Sequence, residues 1–539
     1  MNKLPFVLSF LLFPAVACAS DAEYNANKSA WEAVNLSPAY EAGLSGKDVR
    51  VAIVDNGFWA THQEFTDKMT LSGERRQNHG TAVASIIGAA QNDLGMQGVA
   101  YNASLLAFPT EDIKSEDNSP CEGCQKISSI FNTLASDGYK DVKIINASWG
   151  VNADALDDAQ KQAYLALAGK VSNKLLVAAA GNEMAVNPLL PALGPFYDKK
   201  LKNVINVVAF DASQDKGSSA FLASFTNLAG DAANWTISAP GVGIYAATGG
   251  DTNNAYKEID GTSAAAPIVS GAAALVQEKF PFLSGKQIGD VLLTTANNDF
   301  SGFSAYAEQH LTGSDGSTTY RIVYFEENKA GENEAPVTQD EVISRLGLTC
   351  TKDKTSCTKD GKTYAFTTIT YAQAFGAGIL DVGKALNGLG ALDGSRMDSA
   401  VYTLDIPADY DVVFSNDIDQ RNTTEELGFE KTGEGTLTLS GKNAYKGDTS
   451  VSAGTLKLTG ALEGGAKTDG TGTLIIDGAA IGGAVNVAAG TTASINDGSV
   501  AGAWSNSGET KIAGGTLSGE VDNAGVLTMT GHSECQARG

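Results

Sequence analysis

The stretch Gly261-Thr262-Ser263-Ala264-Ala265-Ala266-Pro267 decides how this chain of 539 residues is read. A glycine-led turn feeds an alanine-rich run that continues to about residue 279. Small residues let backbone approach backbone at a tight corner. A serine at the mouth of the following helix meets unpaired N–H groups and the positive end of the helix dipole, both of which favour developing negative charge. That suits a nucleophile, and it also suits a plain serine cap on a buried helix. Pro267 is expected near the first turn, where a missing N–H costs little.

What separates the two readings lies upstream. An apolar run from 48 to 57 ends in Asp55-Asn56-Gly57 and reads as a buried strand with a carboxylate at its C-terminal end, where open α/β sheets build their sites. Asn78-His79-Gly80-Thr81 starts in a turn and becomes a small-residue helix, which puts the titratable His79 at a helix start. Further apolar strands are expected at 142–146, before Ser148-Trp149-Gly150, at 174–180, before Gly181-Asn182-Glu183, at 203–209 and after Ser238. Helical segments at 153–169 and 286–296 alternate with them, which argues for a mostly parallel sheet covered on both faces. Amide hydrolysis by serine needs a base, a carboxylate that orients the base, and donors for the oxyanion. Asp55, His79, Ser263 and Asn182 supply one of each, every one at a strand end or helix start.

These four motifs resemble those of the subtilisin-like serine proteases. The resemblance implies an α/β three-layer domain with a mostly parallel central sheet. It also implies that Asp55 orients His79, that His79 is general base and then acid, that Ser263 attacks, and that Asn182 joins the Ser263 N–H in an oxyanion hole. Ser148, Trp149, Gly150, Ala179, Ala180 and Gly181 match the strands that line the family's substrate cleft. Asn56 stands where the family carries Ser or Thr, and Ala264 where it often carries Met; neither change removes a reacting atom. Protein or peptide substrates follow, with no cofactor required and no metal in the site. Gln91-Asn92-Asp93 falls in a loop that binds calcium in some subtilases, so calcium and a simple solvated turn both stay open there.

Composition narrows the partners. Asp and Glu number 62 against 38 Lys and Arg, a net charge of -24. Neither nucleic acid nor an anionic membrane surface suits the chain as a whole. Residues 1–19, with a basic start, an apolar segment and Ala17-Cys18-Ala19, read as a signal peptide. Cleavage before Cys18 would instead expose a cysteine for lipid attachment. Export favours two loop-closing disulfides, Cys121–Cys124 and Cys350–Cys357, over a zinc site in a chain with 4 histidines.

The peptidase domain is expected over 20–395, with a polar insertion at 297–370 that carries an acidic patch. Over 400–531 glycines recur at Gly435, Gly454, Gly472, Gly490, Gly508 and Gly525, and apolar pairs alternate with polar residues within the repeats, as at Leu437 and Leu439, Leu456 and Leu458, Leu474 and Ile476, or Leu527 and Met529. A strand period inside an approximately 18-residue superperiod predicts a right-handed β-solenoid; a disordered Gly/Thr linker is the competing reading. Gly435-Thr436-Leu437-Thr438-Leu439 resembles the passenger repeat of bacterial autotransporters, which implies an outer-membrane β-barrel translocator. This chain holds no such barrel, and the irregular tail at 532–539 suggests truncation. The expected product is a monomeric endopeptidase of the Gram-negative cell surface or medium, or a periplasmic truncated form. The alternative is a catalytically silent adhesin.

Overall fold

The computed structural model describes residues 21–73, 75–110, 122–250, 253–327, 336–530 and 534–535. The expected leader with Cys18, the Cys121–Cys124 bond and nearly all of the tail lie outside them. Among the described residues no helix is long and apolar enough to cross a membrane.

Seven strands form the central sheet: β1 (Arg50–Asp55), β2 (Met69–Leu71), β3 (Ser104–Pro109), β4 (Ile144–Ala147), β5 (Leu175–Ala179), β6 (Val204–Phe210) and β7 (Thr236–Pro240). Their spatial order is β2-β3-β1-β4-β5-β6-β7, and every pairing is parallel. Alternate residues of a strand face opposite sides. Val51 and Ile53 accordingly pack under the helices Asn78–Gly88 and Thr262–Lys279, while Ala52 and Val54 pack on Glu122–Leu134 and Asp158–Lys170. This is the expected three-layer arrangement. After β1 the chain goes out to the edge strand β2, returns inward to β3 beside β1, and then crosses over to place β4 on the other side of β1. The carboxyl ends of β1 and β4 therefore flank the switch point, where a crevice opens.

Beyond β7 a hairpin of β8 (Ile244–Thr248) and β9 (Ala255–Ile259) leads to the Ser263 turn. The insertion is more ordered than its polar composition suggests. It folds as a five-stranded sheet from Tyr306–Thr312 to Lys362–Ile369 around Ile322, Val342 and Phe366, and Cys350 is bonded to Cys357 across paired strands. The chain then returns to the main sheet, where Ile379 bridges to Ser238 beside β7.

The C-terminal region stacks two sheets of parallel strands. One runs from Val401–Asp405 to Val521–Asn523, the other from Asp411–Phe414 to Val526–Met529. Thr436 pairs with Thr455, Thr455 with Thr473, and Thr473 with Thr492, so the glycine spacing becomes the step between stacked strands. Leu437, Leu456 and Leu474 fill the space between the sheets. Such stacking is compatible with a β-solenoid. Its first strands do not hang from a linker: Phe414 lies 5.4 Å from Phe280, Tyr410 lies 5.5 Å from Phe282, and one apolar core runs from the α/β domain into the stack.

Polar contacts reinforce that junction. Arg396 donates to Asp290 at 2.7 Å with both side chains buried, and Lys286 reaches the same carboxylate at 2.6 Å. Replacing Asp290 with Ala would leave Arg396 buried without its counter-charge. We expect a loss of about 3–5 kcal/mol in chemical denaturation, the range for breaking one side of a buried pair; a change under ~1 kcal/mol would mean that the junction adds little.

Candidate active site

Asp55 is the last residue of β1 and is only 2% exposed. A buried carboxylate needs compensation. It finds it in the Asn56 N–H and in His79, whose Nδ1 lies 2.8 Å from the same Oδ1. His79 is the second residue of helix Asn78–Gly88, and the next position explains how the helix gets so close. A Cβ at Gly80 would stand 2.3 Å from the Gly57 carbonyl. Glycine there lets the helix start abut the loop after β1.

Ser263 occupies the equivalent place in its own helix, the second residue of Thr262–Lys279. Gly261 precedes it at φ +149, a conformation that side chains disfavour, and a Cβ there would stand 2.8 Å from Ser263 Oγ. Pro267 lies just past the first turn, as the sixth residue of the helix. Its missing N–H therefore has a consequence: the carbonyl four residues back, that of Ser263, loses its helical partner. The Ser148 hydroxyl donates to that carbonyl at 3.1 Å, accepts from Asn146 Nδ2 at 2.9 Å, and Asn146 Oδ1 accepts from Ser270 at 2.8 Å. A buried polar chain thus ties the end of β4 to the backbone of Ser263.

Asn182 follows β5. Its Oδ1 accepts from the Thr262 N–H at 2.9 Å and the Thr262 hydroxyl at 3.0 Å, which orients the amide and leaves Nδ2 as the donor for the cleft. The loop is held by Asn227, fully buried, which accepts from the N–H of Glu183 and Ala185 and donates to the Ala180 carbonyl. The Ser263 N–H lies in the first turn, where no intrahelical carbonyl reaches it.

Asp55, His79, Asn182 and Ser263 line one cleft of about 350 Å³ together with Ser148, Trp149, Gly150, Ala179 and Gly181. Ala180 is the exception among the expected lining residues. Strand alternation turns it away from Ala179 and into an apolar cluster with Val208 and Leu228. Trp149 also braces the site, donating its indole N–H to the Val54 carbonyl at 2.9 Å. The sequence reading missed Thr110, Glu183 and Leu189 in the lining, and Asn146, Ser270 and Asn227 behind it. A polar Asn146 inside an apolar strand was a usable signal. Asn227 carried none.

In the loop at 91–93 the carboxylate that arrives, from buried Glu23, accepts from the N–H groups of Asn92 and Leu94. Among the described residues no three His, Cys, Asp or Glu side chains are grouped to hold a metal.

A subtilase family model matches residues 46–321, and a passenger-associated transport repeat matches 429–458. Subtilisin DY of Bacillus licheniformis is 33% identical over 265 residues, covering 48% of this chain and 86% of that protein. The extracellular serine protease of Serratia marcescens is 25% identical over 511 residues, 82% of this chain and 44% of its own length. The Neisserial autotransporter lipoprotein NalP of Neisseria meningitidis is 26% identical over 493 residues, 83% and 37% respectively. The chain therefore spans less than half of the latter two.

The negative charge of Asp55 and its hydrogen bond raise the His79 pKa above 6.5, against burial and the nearby Lys257, which lower it. Chemistry that needs neutral His79 should appear only above that value, so the acid limb of the pH–rate profile is expected above about 6.5. Asp55→Asn should move the limb to lower pH while cutting turnover about 10⁴-fold. A limb that stays put would uncouple the two residues. The pairing's contribution to stability has the opposite sense, present at low pH and fading as pH rises through the raised pKa. Asn146→Ala should cost about 1–3 kcal/mol by leaving two buried hydroxyls short of a partner, and should slow acylation of Ser263 by an active-site-directed reagent; unchanged kinetics would make the chain purely structural.

Proposed function

Because the chain belongs to the subtilase family, we propose that it is an exported serine endopeptidase that cleaves protein substrates through an acyl-enzyme formed on Ser263. The observation that carries the reading is the 2.8 Å contact between His79 Nδ1 and Asp55, in a cleft that also holds Ser263 and Asn182. With Nδ1 held by Asp55, Nε2 is the nitrogen left to take the Ser263 hydroxyl proton. Ser263 Oγ attacks the scissile carbonyl carbon. The resulting oxyanion accepts from Asn182 Nδ2 and the Ser263 N–H. His79, charged and stabilised by Asp55, returns its proton to the leaving amine. It then deprotonates the water that releases the acyl group.

Around this site, the sequence supports a peptidase domain over 20–395 and repeats over 400–531 wound as a right-handed solenoid. The Serratia and Neisseria relatives support export to the cell surface or medium, with a β-barrel translocator as partner in export. The chain acts in this reading as a monomer, and its reaction needs no calcium.

Labelling the purified chain with a fluorophosphonate, with casein cleavage followed in parallel, tests the reading. The parent should label and cleave, and Ser263→Ala should do neither. Asn182→Ala should lower turnover about 10²–10³-fold, the range measured for the side-chain oxyanion donor of subtilisin. A folded parent that fails to label would favour the silent binding protein instead.

A further inference from the structure

A second cavity, of about 500 Å³, adjoins the cleft and shares His79, Ser263 and Asn56 with it. The first cleft contains Asn182 and the loops after β4 and β5, and so takes the acyl side of a substrate. His79 must hand its proton to the leaving amine, so the chain beyond the scissile bond has to run along its other side. The far wall there is β9, which contributes Lys257, Glu258 and Asp260.

These three charges are not equivalent. Asp260 Oδ1 already accepts the Gly243 N–H at 2.7 Å. Lys257 and Glu258 are consecutive strand residues, so their side chains point to opposite faces. The charge of Lys257 opposes protonation of His79 across the cavity they share. Lys257 is exposed and makes no ion pair among the described residues, in a chain whose net charge is -24. Asn56, Gln77 and Asn78, the polar neighbours across the cavity, are neutral. An uncommitted ammonium beside the leaving-group path attracts carboxylates and repels cations.

Resting on the peptidase reading, we propose that Lys257 is a specificity residue for the leaving-group side of the substrate, selecting an acidic side chain at the first or second position after the cleaved bond.

The test uses the full chain. A casein digest analysed by mass spectrometry fixes one cleaved sequence, from which quenched fluorescent peptides are made with Glu, Gln or Lys at each of those two positions. For the parent, kcat/KM should favour Glu over Lys about two- to fivefold at one of them, the scale of an exposed charge pair. The preference should shrink in about 0.5 M salt. Lys257→Gln should bring the ratio close to one, and Lys257→Glu should invert it. Equal ratios in all three proteins would overturn the proposal, as would a preference that survives both substitutions. Each protein is also labelled with a fluorophosphonate. A labelled parent with unchanged ratios defeats this proposal alone, whereas a folded parent that does not label removes the peptidase reading and this one with it.

Discussion

The site is organised around one buried charge. Asp55, 2% exposed at the end of β1, is tolerable only because an N–H donor and His79 converge on the same oxygen. That convergence dictates what surrounds it. The helix bearing His79 has to start against the loop after β1, which only a residue without a Cβ at position 80 permits, and β1 has to sit beside a crossover that leaves its carboxyl end open. The same charge also fixes which imidazole nitrogen is free and raises the pH at which the ring loses its proton.

The serine side obeys a second constraint that meets the first at β4. Pro267 takes one hydrogen bond away from the serine helix at the Ser263 carbonyl, and Ser148 replaces it from the neighbouring strand end. A helix proline usually costs stability. Here its vacancy becomes a handle by which the sheet grips the backbone of Ser263. Asn146 and Ser270 complete the grip, so the position of Ser263 is tied both to the helix above and to the strand beneath it.

The parallel stack that follows the peptidase domain shares its core rather than hanging beside it. Phe280 and Phe282 meet Phe414 and Tyr410, and the buried Asp290 engages Arg396 just ahead of the first stacked strand. These contacts place the first strands of the stack against helix Gly285–Thr295, and among the described residues none of the stack lines the cleft.

Much of this was legible in the residues themselves. Apolar runs that end in Asp55, in Ser148 and in Asn182 mark strands whose carboxyl ends carry polar groups, because strand burial and turn chemistry are local in sequence. The glycine spacing past residue 400 likewise announced stacking, since each turn repeats the last. What local pattern could not decide was anything made by residues far apart in the chain. The short edge strand Met69–Leu71, the ordered sheet in the insertion, the burial of Ala180 away from the cleft and the role of Asn227 all depend on neighbours tens of residues away. Position along the helix decided the meaning of Pro267, and the hairpin's placement beside His79 decided that of Lys257. The sequence alone determined which groups could do the chemistry. Tertiary packing decided which of them meet, because hydrogen-bond geometry and burial are properties of the assembled layers and not of any one segment.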